Sequence, residues 1–184
     1  MPIWLIVLIA IVAILVLWLV MTYNKLVQLR ARVKNAWAQI DVHLKRRFDL
    51  IPNLVSTVKG YAAHESGTLE KVVEARNRFN SATTPTERME ASNELTSMLS
   101  KLMLLVEAYP DLKANQNFIQ LQNELRTTED KIAFTRQFYN DTVMKLNAKL
   151  ETFPTVLVAG MFGFRAEPYF EAEAEAAQAP KVEF

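Results

Sequence analysis

Cysteine is absent from this chain of 184 residues, which excludes disulfide scaffolds, thiol nucleophiles and thiolate-bound zinc. That absence does not identify a compartment. The four glycines are scattered at 60, 67, 160 and 163, and none falls in a G-x-G-x-x-G or G-x-x-x-x-G-K setting, so no phosphate-cradling loop is expected. Histidine is nearly absent too, with only His43 and His64. His64-Glu65 begins as a zincin motif begins, but Thr68 stands where the second histidine is needed, which leaves a solvated or bundle-satisfied histidine. Carboxylate pairs such as Glu129-Asp130 lie in charged helical stretches, where such pairs are usually exposed. Strand-like alternation is missing as well. No catalytic residue, cofactor or metal site is expected.

The chain does contain a long apolar run. Ile3 to Met21 are nineteen uncharged, almost wholly aliphatic residues, and a helix rising about 1.5 Å per residue crosses roughly 30 Å of hydrocarbon with that length. Trp4 and Trp18 lie near its ends, with Tyr23 and Lys25 at the exit, so these four are the expected membrane-interface residues. A cleaved signal peptide would need a basic n-region and a small-x-small site, and Val20-Met21-Thr22-Tyr23 offers none.

The formal charge of +1 conceals a segregation: Tyr23 to Arg47 hold seven basic residues and one acid, whereas Ala166 onward hold five glutamates and one lysine. Lys25, Arg30, Arg32 and Lys34 all follow the span, so the positive-inside rule places a short N-terminus outside and the remaining domain in the cytoplasm, at the inner membrane. Surface attraction decays over about 8 Å, so only Lys25, and weakly Arg30, feels anionic lipid.

The expected fold is all-α: a transmembrane helix continuing into a long antiparallel helical bundle, with an irregular C-terminal segment. Four regions follow: an anchor over 1–22, a bundle over 23–152, an apolar packing or inter-subunit segment over 153–170, and an acidic tail over 171–184. Leu26, Val33 and Ile40, with Trp37, Leu44 and Ile51, recur every seven residues and give the first helix an apolar stripe. Pro52 predicts a break or sharp kink at 48–52, with Asp49 as the cap of a second helix over about 53–80. Thr84-Pro85-Thr86-Glu87 reads as a capping box opening a third helix to about Glu107. Tyr109-Pro110 ends that helix, and a long fourth helix extends to about Glu151 with Phe118, Leu121, Leu125, Ile132, Tyr139, Val143, Leu146 and Leu150 on one stripe. Thr155 to Phe164 is apolar and too short to span; it can pack on the bundle, lie at the interface, or meet another subunit.

Lys45-Arg46-Arg47 points in several directions on a helix and lacks an accompanying aromatic module, so a solvated face is expected and nucleic acid is not. Arg47, Asp49, Asn53, Arg76, Arg136 and Asn140 are candidates for a structural polar layer that sets register without catalysing anything.

Several ordered blocks resemble the LemA family: Tyr23-Asn24-Lys25-Leu26-Val27, Ala36-Trp37-Ala38-Gln39-Ile40-Asp41-Val42, Leu44-Lys45-Arg46-Arg47 and Asp49-Leu50-Ile51-Pro52-Asn53-Leu54-Val55. Val58-Lys59-Gly60-Tyr61, Tyr109-Pro110-Asp111-Leu112-Lys113-Ala114, Phe162-Gly163-Phe164 and Tyr169-Phe170-Glu171 continue the match. The resemblance implies a membrane helix with a short external N-terminus and a cytoplasmic helical bundle. It supplies no activity, although a relative acting in magnetosome formation points to membrane organisation. Two functions stay open. One is a non-enzymatic, self-assembling scaffold or adaptor that meets the lipid bilayer and a protein partner or its own copies. The other is a membrane-bound signalling receptor or enzyme using a polar cluster around His64, Glu65, Arg76 or Arg136.

Overall fold

The computed structural model describes residues 2–62 and 64–171, and the described chain is helical with no strand. Its elements are α1 (Ile3–Lys59), α2 (Ser66–Ser81), α3 (Pro85–Val106), α4 (Pro110–Lys113), α5 (Gln116–Glu151) and α6 (Thr155–Met161). The acidic stretch beyond Glu171 lies outside the described residues.

Of the break or sharp kink expected at 48–52, the break does not occur: α1 passes through Pro52 and ends at Lys59. Proline has no N–H, so the carbonyl four residues back, that of Phe48, loses its helical donor. Arg76 supplies a replacement: its Nε donates to Phe48 O at 3.4 Å, while its guanidinium lies 3.9 Å from the centroid of the Phe48 ring. Ile51, Leu54 and Val58 are fully buried around the proline, so packing holds a segment that local preference disfavours. The interruption falls instead between Gly60 and Glu65, and the second helix starts at Ser66.

The box at Thr84 is present in full. Its hydroxyl accepts from the Glu87 N–H and the Glu87 carboxylate accepts from the Thr84 N–H, with Pro85 in the first turn. The single long helix expected after Tyr109-Pro110 is divided: α4 lasts one turn, and Asn115 Oδ1 accepts from the Phe118 N–H at 3.0 Å to start α5. A side-chain acceptor immediately ahead of a helix satisfies a free amide two or three residues further on, which is why the chain restarts there.

By its contacts the chain forms two compact units. One combines α1 up to Ala38 with Gln137–Tyr169. Here Leu26, Leu29, Val33 and Ala36 are buried from α1, Val143, Leu146 and Leu150 from α5, and Val158 and Ala159 from α6. The Trp37 and Tyr139 rings meet edge-on at 5.8 Å. After α6 the chain reverses at Gly163, whose φ of +68° suits a residue without a Cβ. Asn147 then holds the returning segment by donating to Glu167 O at 2.9 Å and accepting from its N–H at 3.0 Å, and the Tyr139 hydroxyl donates to Pro168 O at 2.9 Å. Burial and the nearby Glu167 carboxylate push the Tyr139 phenol up to about 12.

The other unit takes Gln39–Arg136 with Phe170 and Glu171. Its core joins Ile51, Leu54 and Val58 of α1 to Leu69, Val72 and Ala75 of α2, Leu95, Leu99 and Leu102 of α3, and Phe118 and Leu125 of α5.

Candidate functional site

The apolar stripe of α3 contains two hydroxyls where aliphatic side chains are the rule, Ser92 and Thr96, one helical turn apart among Met89, Leu95, Leu99 and Leu102. They receive Arg47, which α1 carries on its own apolar stripe between Leu44 and Ile51. Arg47 is only 1% exposed. Its Nη1 donates to Thr96 Oγ1 and to Glu129 Oε1, each at 2.8 Å, and its Nη2 donates to Ser92 O at 3.0 Å and Ser92 Oγ at 2.6 Å. Nε is buried with no hydrogen-bond partner among the described residues. The pair therefore joins α1, α3 and α5 through a charged layer inside an apolar core. Such a layer is costly to desolvate and tolerates few alternative registers. Glu129, 35% exposed, is the wet end of the pair.

Glu129 and Thr96 also line the mouth of a groove of about 770 Å³ between α3 and α5. Leu99, Met103, Leu104 and Leu125 give it an apolar lining, with Gln122, Arg126 and Glu107 around them. Leu104 is 74% exposed.

Of the six residues expected to form a polar layer, the structure places Arg47 at the centre of one, but with Ser92, Thr96 and Glu129. Asp49 and Asn53 lie exposed on α1, Arg76 serves Phe48, and Arg136 lies 5.0 Å from the Phe170 ring centroid. Asn140 is half-buried in the other unit. The signal for the actual partners was present in the sequence as hydroxyls interrupting an apolar helical stripe. Which charged residue would meet them depended on the stagger of three helices.

Other polar groups are similarly occupied by neighbours. His64 is exposed, and Glu65 accepts from the Tyr109 hydroxyl at 3.1 Å; desolvation, then this hydrogen bond, raises the phenol's pKa. His43 is half-buried, and burial followed by the charges of Lys131 and Arg46 lowers its pKa. Asp41 pairs with Arg88. Thr128, Thr135 and Thr142 recur every seven residues along α5, buried, each returning its hydroxyl to a carbonyl four residues earlier. That local bond lets a small polar side chain sit in a helix seam without an orphaned donor. Among the described residues no group of three metal-ligating side chains converges.

Towards the N-terminus, α1 is long and apolar enough to cross a membrane, and none of its apolar window is buried. Trp4 and Lys25 are exposed, Trp18 is half-covered, and the Tyr23 ring packs on Phe162 and Phe164 with centroids 4.8 and 5.7 Å away.

The profile of the LemA family matches residues 36–184. Protein LemA of Metamycoplasma hominis is 31% identical over 137 residues, 74% of this chain and 63% of that protein. Magnetosome protein MamQ 2 of Paramagnetospirillum magneticum is 24% identical over 179 residues, covering 83% of this chain and 66% of the relative. Magnetosome protein MamQ of Magnetospirillum gryphiswaldense is 24% identical over 178 residues, covering 83% and 65%. The chain spans a little under two thirds of the length of these curated relatives.

Proposed function

The chain belongs to the LemA family, and from that premise we propose that it is a membrane-anchored, non-enzymatic scaffold or adaptor. Its bundle recruits a protein partner, or further copies of itself, through the groove between α3 and α5. That groove carries the reading: a sizeable channel lined by exposed Leu104 and half-buried Met103, bordered by a charged layer that fixes the stagger of the helices forming it. A surface held in one geometry binds with less ordering cost than one that must assemble on contact. The similarity to magnetosome proteins supports a role in membrane organisation.

The competing reading, a receptor or enzyme, needs His64, Glu65, Arg76 and Arg136 to meet at a cleft. Their separate partners, Tyr109 for Glu65, Phe48 for Arg76 and Phe170 for Arg136, favour the scaffold. In this reading the domain lies on the cytoplasmic face of the inner membrane, an orientation that the basic flank from Lys25 to Lys34 supports.

Full-length protein extracted in mild detergent should run as a defined oligomer or co-purify with a partner, and Leu104→Glu should abolish that association while leaving helical content unchanged. A monodisperse monomer without a partner in the native extract would overturn the proposal. A reporter fused after Phe184 should be active only in the cytoplasm; periplasmic activity would reverse the orientation.

A further inference from the structure

Twelve consecutive residues, Phe153 to Phe164, carry no charge. The helix within them buries one face, Thr155, Val158 and Ala159, but the opposite face is apolar too: Val156, Leu157 and Met161 are exposed, the last two by 58% and 72%, and Phe153 beside them by 76%. In a water-facing helix that second face is where charged residues belong.

The place of this segment along α1 supplies the explanation. Trp37 meets Tyr139, and Tyr23 meets Phe162 and Phe164, so within this unit α5 runs opposite to α1 and delivers the chain to the level at which α1 leaves the apolar run ending at Met21. The coverage of α1 agrees. Apart from Leu5, its side chains are exposed through Leu17, but Trp18, Leu19 and Thr22 are half-covered, continuing the stripe that buries Leu26, Leu29 and Val33. Packing on α1 therefore begins inside the apolar run, five residues or about 7 Å before Tyr23. Arg30 reaches back over the Phe164 ring, 4.9 Å from its centroid, as a cationic side chain does when its stem lies at an apolar boundary and its head seeks the phosphate level.

We propose that Phe153 to Phe162 is a second membrane contact: the α6 hairpin enters the headgroup and outer acyl region of the leaflet from which α1 emerges, with Phe153, Leu157 and Met161 in lipid. Its occupant is the bilayer surface, because the exposed face continues the lipid-facing surface of α1. An uncharged stretch of about 10–14 residues is too short to cross but has the length of an interfacial or re-entrant segment, and such segments reach roughly 5–10 Å below the headgroups. The anchor then has two footings, which restrict how the adjoining unit can swing and spin about α1.

The inference rests on the membrane-spanning reading of α1, and one experiment separates their failures. The chain has no cysteine, so single replacements take a fluorophore without competition. Full-length Leu157→Cys, Met161→Cys, Ile11→Cys and Leu104→Cys are labelled and placed in liposomes containing nitroxide lipids. Labels at 157 and 161 should show blue-shifted emission and be quenched severalfold more strongly by lipid nitroxide than the label at 104, with the deepest quenching at 11. Quenching at 11 but not at 157 and 161 overturns the second contact alone, whether those positions prove open to an aqueous quencher or shielded by another copy. Loss of quenching at 11 overturns both readings. Circular dichroism of each labelled protein confirms that the exposed replacements leave the helices intact.

Discussion

Replacing Arg47 with alanine should destabilise the fold by about 3 kcal/mol. Removing one member of a buried ion pair typically costs about 3–5 kcal/mol, because the remaining charge stays buried without a partner. Here Glu129 is 35% exposed, so water partly rescues it and the lower end applies. The Ser92 carbonyl keeps an acceptor role, since Thr96 Oγ1 also donates to it at 3.1 Å. Most of the loss therefore arises at Glu129 and from the space vacated by the arginine stem. Arg47→Met retains the stem and should recover part of the difference. Glu129→Gln keeps an acceptor for Nη1 but replaces a bond between two charged groups with a weaker one, which should cost about 1 kcal/mol. Urea unfolding of the full chain in mild detergent, followed by circular dichroism, gives all three values. A loss below about 1 kcal/mol for Arg47→Ala, or strict additivity of Arg47→Met with Glu129→Gln, would refute the view that this pair organises the core.

Arg76→Ala should cost about 1 kcal/mol in the native chain and less when combined with Pro52→Ala, because alanine restores the N–H that Phe48 O lacks; equal costs in both backgrounds would show that the arginine does not serve that carbonyl. The Glu87 carboxylate is held below its ordinary range by the backbone amides of Thr83 and Thr84, so its contribution is complete above about pH 4.3, the unfolded value, and is lost as pH falls through the lower folded value. Glu87→Gln should flatten the stability profile in that window, and an unchanged profile would count against the cap. Tyr139→Phe deletes the bond to Pro168 O and should cost about 1 kcal/mol, with faster amide exchange at Glu167; unchanged exchange there would show that the segment is held without it.

Much of the fold was legible in the sequence because it is written in local terms. The apolar run, the seven-residue stripes and the Thr84 box depend on residues within a turn or two of each other. Pro52 misled for a definable reason: its effect on a helix is local, but its compensation comes from Arg76, 24 positions later. The division at Asn115 had a visible capping residue, overshadowed by the long stripe following it. Arg47 was recognisable as a cation on an apolar face, yet Ser92, Thr96 and Glu129 became its partners only through the stagger of α1, α3 and α5.

By itself, the sequence determined the composition of each helix face, the membrane-competent length of Ile3 to Met21, and the absence of thiol and phosphate-loop chemistry, since these follow from residue type and short periodicity. The tertiary structure alone decided where the unpaired faces meet. It carried one helix through a proline, enclosed Arg47, and brought the uncharged stretch from Phe153 to Phe164 beside Tyr23. Each depends on contacts between residues far apart in sequence, whose identity no local pattern encodes.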